Sequence, residues 1–216
     1  MPSSEKGTTM TTHQPSATLR QVSGLDSRLP RLADSVLVLI DVQNTYRTGV
    51  MALEGAEEAV AACARLLERA RAAGTPVVHV IHDGGEGSPY DIREWIGALS
   101  DEVAPRDGET VVVKQFPNSF HRTELEKTLT ALGAEPGSGK ELVLAGFMTH
   151  MCVTHTAQGA FNLGYRPAVV AEATATRSLP APDGTVVPAA ALKTAALTAI
   201  ADLFAPVALT VDDIPA

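Results

Sequence analysis

Short apolar runs alternate with longer amphipathic stretches from about residue 35 to the end of the chain. Ser35–Asp41 (SVLVLID) is apolar on both alternating faces, the mark of a fully buried strand. Over Gly55–Ala73, Val60, Cys63, Leu66, Leu67 and Ala70 recur at three- and four-residue steps, which predicts a helix with one buried face. Gly74 ends it, and Pro76 opens a second strand, Val77–His82. Residues 83–108 are irregular: a Gly-rich loop over 83–89 is read as a mobile rim, with a short helix around Ile92–Leu99. Further strands are predicted at Thr110–Lys114, Glu141–Phe147, Pro167–Glu172 and Pro206–Thr210, and further helices at Glu124–Leu132, Cys152–Leu163 and Ala189–Leu203.

Strands alternating with helices predict an α/β fold: a six-stranded parallel sheet flanked by helices and joined by right-handed crossovers. Residues 1–30 are rich in Ser, Thr and Pro without an apolar stretch, and are expected to form a flexible arm; residues 31–216 are expected to form one domain. No internal repeat is visible.

Composition narrows the function. The 216 residues are 45% hydrophobic and carry a formal net charge of −8, with no basic run, so neither nucleic acid nor an anionic membrane surface is expected as a partner. No apolar run reaches the length of a membrane span. The two cysteines, Cys63 and Cys152, lie far apart and form no Cys-x-x-Cys, which speaks against a disulfide framework or a cysteine-based metal site and for a reducing, cytoplasmic setting.

In parallel sheets of this kind ligands bind beyond the carboxyl ends of the strands. There the first strand delivers Asp41, the third Lys114, and the turn after the fourth Cys152 at the predicted start of a helix. A thiol at a helix N-terminus leans toward the thiolate, a carboxylate takes its proton, and a lysine cation supports the anion. Backbone N–H groups of the turn Met148–Cys152 are placed to hold an oxyanion. Taken singly, each residue has an ordinary structural role: a core thiol, a turn aspartate, a surface lysine. It is their convergence from separate strands that points to acyl transfer.

Three segments, Leu39-Ile-Asp-Val-Gln-Asn44, Val113-Lys-Gln-Phe-Pro-Asn-Ser-Phe120 and Ala145-Gly-Phe-Met-Thr-His-Met-Cys-Val153, resemble the isochorismatase-like cysteine hydrolase superfamily, in the same order and spacing. The tail through Val169–Arg177 is also similar. The resemblance implies catalytic Asp41, Lys114 and Cys152, a cis peptide between Phe147 and Met148, and an oxyanion hole from the N–H groups of Met148 and Cys152. It implies cleavage of a C–N bond in a small amide through a thioester, and a homo-oligomer. A vinyl-ether hydrolase and a non-catalytic binding member are the alternatives. Asn44, Tyr46, His82, Phe116, Phe120 and Phe147 are pocket candidates by position. The chain departs from the metal-binding nicotinamidases, because after His82 no histidine follows until His121; no metal and no cofactor are expected. His150 and His155 flank the nucleophile, with His150 expected to cap the turn or face a subunit interface.

Overall fold

The apolar run after Asp34 forms β1 (Ser35–Ile40), every residue of which is buried. In the computed structural model, which describes residues 15–216, it lies at the centre of a sheet with the order β3-β2-β1-β4-β5-β8. The other strands are β2 (Val77–His82), β3 (Thr110–Lys114), β4 (Glu141–Phe147), β5 (Pro167–Ala175) and β8 (Val207–Ala208). All five neighbouring pairs are parallel. The chain winds outward from β1 to β3 and returns to place β4 beside β1. The strand order therefore reverses between β1 and β4, and the crevice beyond their carboxyl ends is where such sheets bind ligands.

Side chains of β1 alternate between two apolar layers, as the two-residue period of a strand requires. Leu37 and Leu39 pack with Val60, Cys63, Leu66 and Leu67 of α2 (Ala56–Ala72). Val36, Val38 and Ile40 pack on the other side with Leu125 and Leu129 of α3 (Leu125–Ala131) and Ala157 and Ala160 of α4 (Thr154–Asn162). A further helix, α5 (Ala189–Ala199), precedes β8 and ends in a π turn over Ile200–Phe204.

Several elements differ from the sequence reading, among them the last strand, which shrinks from the expected Pro206–Thr210 to Val207–Ala208. β5 runs on to Ala175, because a bulge shifts its pairing with β4 between Leu144 and Gly146. The helix expected from Cys152 starts as a π turn, Thr149–Val153, and becomes α-helical at Thr154. The irregular segment holds two 3₁₀ turns, Trp95–Gly97 and Asp101–Val103, and no helix where a short one was expected around Ile92–Leu99. A small hairpin, β6 (Leu179–Pro180) with β7 (Val186–Val187), follows β5.

Of the segment read as a flexible arm, residues 1–14 lie outside the described residues. Residues 15–30 pack against the domain. Thr18 caps the short helix α1 (Leu19–Val22), the Leu19 N–H donates to Asp202 at 2.8 Å, and Arg20 is buried against the Leu203 carbonyl. Arg28 and Arg166 both bind the buried Glu141 at the start of β4, at 2.9 and 3.0 Å.

Candidate active site

Gly146 explains why β1 and β4 come together so closely under the crevice. It pairs with Ile40, has φ of 116°, and a Cβ there would lie 2.0 Å from the Ile40 carbonyl oxygen. Only glycine fits this approach and this backbone region. One residue beyond Ile40, Asp41 takes φ of 50°, a left-handed conformation that aspartate tolerates better than most side chains. Its N–H donates to the Val80 carbonyl at 2.9 Å, which anchors it to β2.

On β4, the peptide Phe147–Met148 is cis. The turn after it is tied in place from several directions. The Met151 and Val153 N–H groups donate to the Met148 carbonyl at 3.0 and 3.2 Å, and the Thr149 hydroxyl donates to the Ala175 carbonyl at 3.0 Å. His150 Nδ1 lies 2.6 Å from the Thr176 hydroxyl, so this side chain fastens the turn to the end of β5. The loop after β3 is pinned to α4 by Ser119, whose N–H donates to the Thr156 hydroxyl at 3.0 Å.

These elements bring Asp41, Lys114 and Cys152 to one point. Lys114 Nζ is 2.7 Å from Asp41 Oδ2, 3.3 Å from Cys152 Sγ and 3.3 Å from His82 Nδ1. An ammonium has three N–H donors, and here three acceptors surround it. The side chains of Asp41 and Lys114 are both fully buried, and Cys152 is 6% exposed. Asp41 and Lys114 form a buried ion pair, and the same carboxylate faces the Cys152 thiol.

Burial raises the Asp41 pKa above its ordinary value, and the Lys114 charge only partly opposes this. Burial disfavours the Lys114 cation, but Asp41 and then Cys152 outweigh it, so its pKa rises. Burial first, and the Asp41 charge second, push the Cys152 thiol up to about 12. These two effects oppose the tendency toward the thiolate expected from position and lysine. The Lys114 charge is already answered by Asp41, and Cys152 lies two residues ahead of the first residue of α4, inside the π turn.

The pocket candidates divide. His82 touches Lys114, and burial followed by the Lys114 charge lowers its pKa to about 4. It is therefore neutral, with Nδ1 accepting and the proton on Nε2. Its ring meets Tyr90 edge-on at 4.9 Å; Tyr90 meets Tyr46 at 5.8 Å, and Tyr46 meets Phe147 at 5.5 Å. From Lys114 these rings run edge to face into the core, where Tyr46 and Phe147, expected at the pocket, are fully buried among the apolar side chains that pack on α2. Asn44 is consumed structurally: its amide N–H donates to the Trp95 carbonyl at 2.9 Å and its oxygen accepts from Ser100 at 3.2 Å. Phe116 is 38% exposed and pairs with His121 and Arg122, and Phe120 stacks on Tyr165 at 5.5 Å. Sequence reasoning missed Tyr90, which stands in the irregular segment where no periodicity marks it. It also missed Gln43, whose side chain clamps the His82 backbone, donating to its carbonyl and accepting from its N–H, both at 3.0 Å. Among the described residues, no three His, Cys, Asp or Glu side chains cluster as metal ligands.

Residues 35–212 match the Isochorismatase domain. The chain belongs to the isochorismatase-like hydrolase family, which includes amidohydrolases. It is 35% identical over 189 residues to a secreted isochorismatase effector of Verticillium dahliae, covering 87% of this chain and 94% of that protein. The crystal structure of an isochorismatase from Pseudomonas putida KT2440 superimposes with a TM-score of 0.86 at 37% identity, covering 93% of this chain and all of that one. N-carbamoylsarcosine amidase from Thermoplasma acidophilum superimposes with a TM-score of 0.67 at 26% identity, covering 85% and 99%. Among the described residues, no helix is long and apolar enough to cross a membrane.

Proposed function

We propose that the protein hydrolyses a C–N bond of a small amide through a thioester on Cys152. The observation that carries this reading is the contact set of Lys114, which holds a carboxylate and a thiol around one ammonium at a strand-order reversal. Likeness to N-carbamoylsarcosine amidase supports the C–N bond as target. A reducing compartment suits such a free thiol.

In the first half-reaction Cys152 Sγ attacks the amide carbon while its proton passes to Asp41. A thiol held near pKa 12 forms little thiolate in the resting protein, so attack and proton transfer proceed together. The N–H groups of Met148 and Cys152 receive the oxyanion. Asp41 then gives its proton to the departing nitrogen as the C–N bond breaks. In the second half water attacks the thioester and gives a proton to Asp41; the C–S bond breaks, and Asp41 returns that proton to sulfur. Lys114 stays protonated throughout and holds the carboxylate and sulfur in place. Neutral His82 presents its Nε2–H as a donor.

A panel of primary amides, read by ammonia release, tests this. Turnover by the wild type and none by a folded Cys152→Ala variant is the expected result. The likeness to isochorismatases favours a second reading, vinyl-ether hydrolysis, which needs Asp41 but no thiol. Ether cleavage that survives Cys152→Ala would replace the amide reading.

A further inference from the structure

β3 is an edge strand of the sheet, and among the described residues no strand pairs with its outer side. Its inner side is bound to β2, and just beyond that pairing the Asp83 N–H donates to the Lys114 carbonyl at 2.9 Å. Backbone groups alternate in direction along a strand. Thr110, Val112 and Lys114 therefore turn theirs toward β2, and the N–H and C=O groups of Val111 and Val113 face outward. The side chains of these two valines are uncovered as well, 44% and 46% exposed, whereas Val112 is buried with Leu125 and Leu129 of α3. The chain on either flank, residues 104–108 and 115–117, is exposed.

An open apolar edge templates strand pairing, and folded chains blunt it with an outward lysine, a proline, a bulge or a very short strand. The opposite edge is blunted in this way, since β8 is only Val207 and Ala208. β3 reads Thr-Val-Val-Val-Lys, and its single charge, Lys114, is buried. The stretch is symmetric about Val112, with a valine on each side. An antiparallel copy centred there sets Val111 of one chain opposite Val113 of the other. Both residues turn their backbone groups outward, so each such pair exchanges two hydrogen bonds. The two Val112 residues then meet as the intervening pair without hydrogen bonds. Charge favours the same place. Two chains of net charge −8 repel, and they approach most easily where no unpaired charge is exposed. Beside Thr110, the exposed Glu124 and Lys127 pair with each other at 3.0 Å and cancel.

We infer that the outer edge of β3 is a docking surface for a second copy of this chain, the two strands pairing antiparallel about a twofold axis at Val112 and joining the two sheets into one. The inference is independent of the reaction proposed above. Valine packs on valine on both faces of the joined sheet. Val111 and Val113 lie in register with His79 and Ile81 on the α2 side, and Val112 lies on the α3 side. Pairing gives the strand that ends in Lys114 a neighbour on both sides.

Sedimentation velocity of the full chain is expected to show a dimer. Val113→Lys brings two like charges together near the axis, and Val111→Pro removes an outward N–H that no bond within the sheet uses. Each is expected to weaken the dimer by about a hundredfold, with the circular dichroism of the folded chain retained. Val112→Cys tests the register without depending on how those variants fold. Across the axis the two Cα atoms lie about 4.5 Å apart, within the span of a disulfide. Mild oxidation is expected to link two chains through residue 112, identified by peptide mass spectrometry, with the buried Cys63 and Cys152 as background. A monomeric wild type overturns the inference. So does an assembly that Val113→Lys and Val111→Pro leave intact, or an oxidised Val112→Cys dimer in which residue 112 stays unlinked.

Discussion

His82 Nδ1 accepts from Lys114 Nζ at 3.3 Å, so the lysine charge stands directly against the imidazole ring. The histidine is held neutral at a pKa of about 4 by burial and by the lysine beside it. Its folded pKa is thus depressed from 6.5, so the unfolded chain takes up a proton more readily. The associated stability is present above pH 6.5 and is lost as pH falls through about 4. Thermal melts across this window are expected to show a decline that flattens in His82→Gln. The activity profile, by contrast, should show no limb near 6.5; such a limb, abolished in His82→Gln, would refute a neutral His82.

Asp41 sets the acid limb instead. The reaction needs its ionised form, so kcat/KM rises with pH as the carboxyl loses its proton. Burial places that limb above 3.8, the ordinary value. Asp41→Asn keeps the shape and is expected to lose activity by about a thousandfold, the usual weight of a general base. It also leaves Lys114 as a buried cation without its partner, so the variant should melt earlier than the wild type.

The thiol chemistry is open to a direct measurement by alkylation. With its pKa near 12, Cys152 should react with iodoacetamide at a rate that climbs steadily through the alkaline range. A plateau near neutral pH would show a resting thiolate and contradict the proton transfer to Asp41. Asp41→Asn removes the second cause of the shift and should speed alkylation at a given pH. Cys63, fully buried in α2, serves as an unreactive control in the folded protein.

Gly146→Ala is expected to destabilise the fold by about 3 kcal/mol, from the left-handed backbone together with the clash against Ile40. Denaturant titration checks this. A loss of activity without a loss of stability would mean that the close approach of β1 and β4 serves the site alone.

Much of this was legible in the sequence because buried parallel strands read as unbroken apolar runs. The ends of β1 and β3 could be placed to within a residue, and with them Asp41 and Lys114. What escaped depended on geometry that leaves no period. The bulge in β5 hides its true end, expected at Glu172 and found at Ala175. Tyr90 stands in a glycine-rich stretch whose path is set by its own hydrogen bonds, such as that from Gly84 N–H to the Tyr90 carbonyl at 3.2 Å. Phe116 and Phe120 sit in a recognisable motif, yet the direction of a loop ring is decided by neighbours distant in sequence, here His121 and Tyr165. The upward push of burial on the Cys152 thiol was likewise out of reach, since burial is a property of the whole fold.

The four side chains gathered around Lys114 stand at the ends of four different strands: Asp41 after β1, His82 closing β2, Lys114 itself closing β3 and Cys152 after β4. Moving any one strand by a single residue would turn its group to the opposite face. No autonomous loop or subdomain carries the chemistry, so there is no partly melted form that works and no intact sheet that has quietly lost its centre. Heat inactivation and the collapse of the sheet should therefore trace one and the same curve.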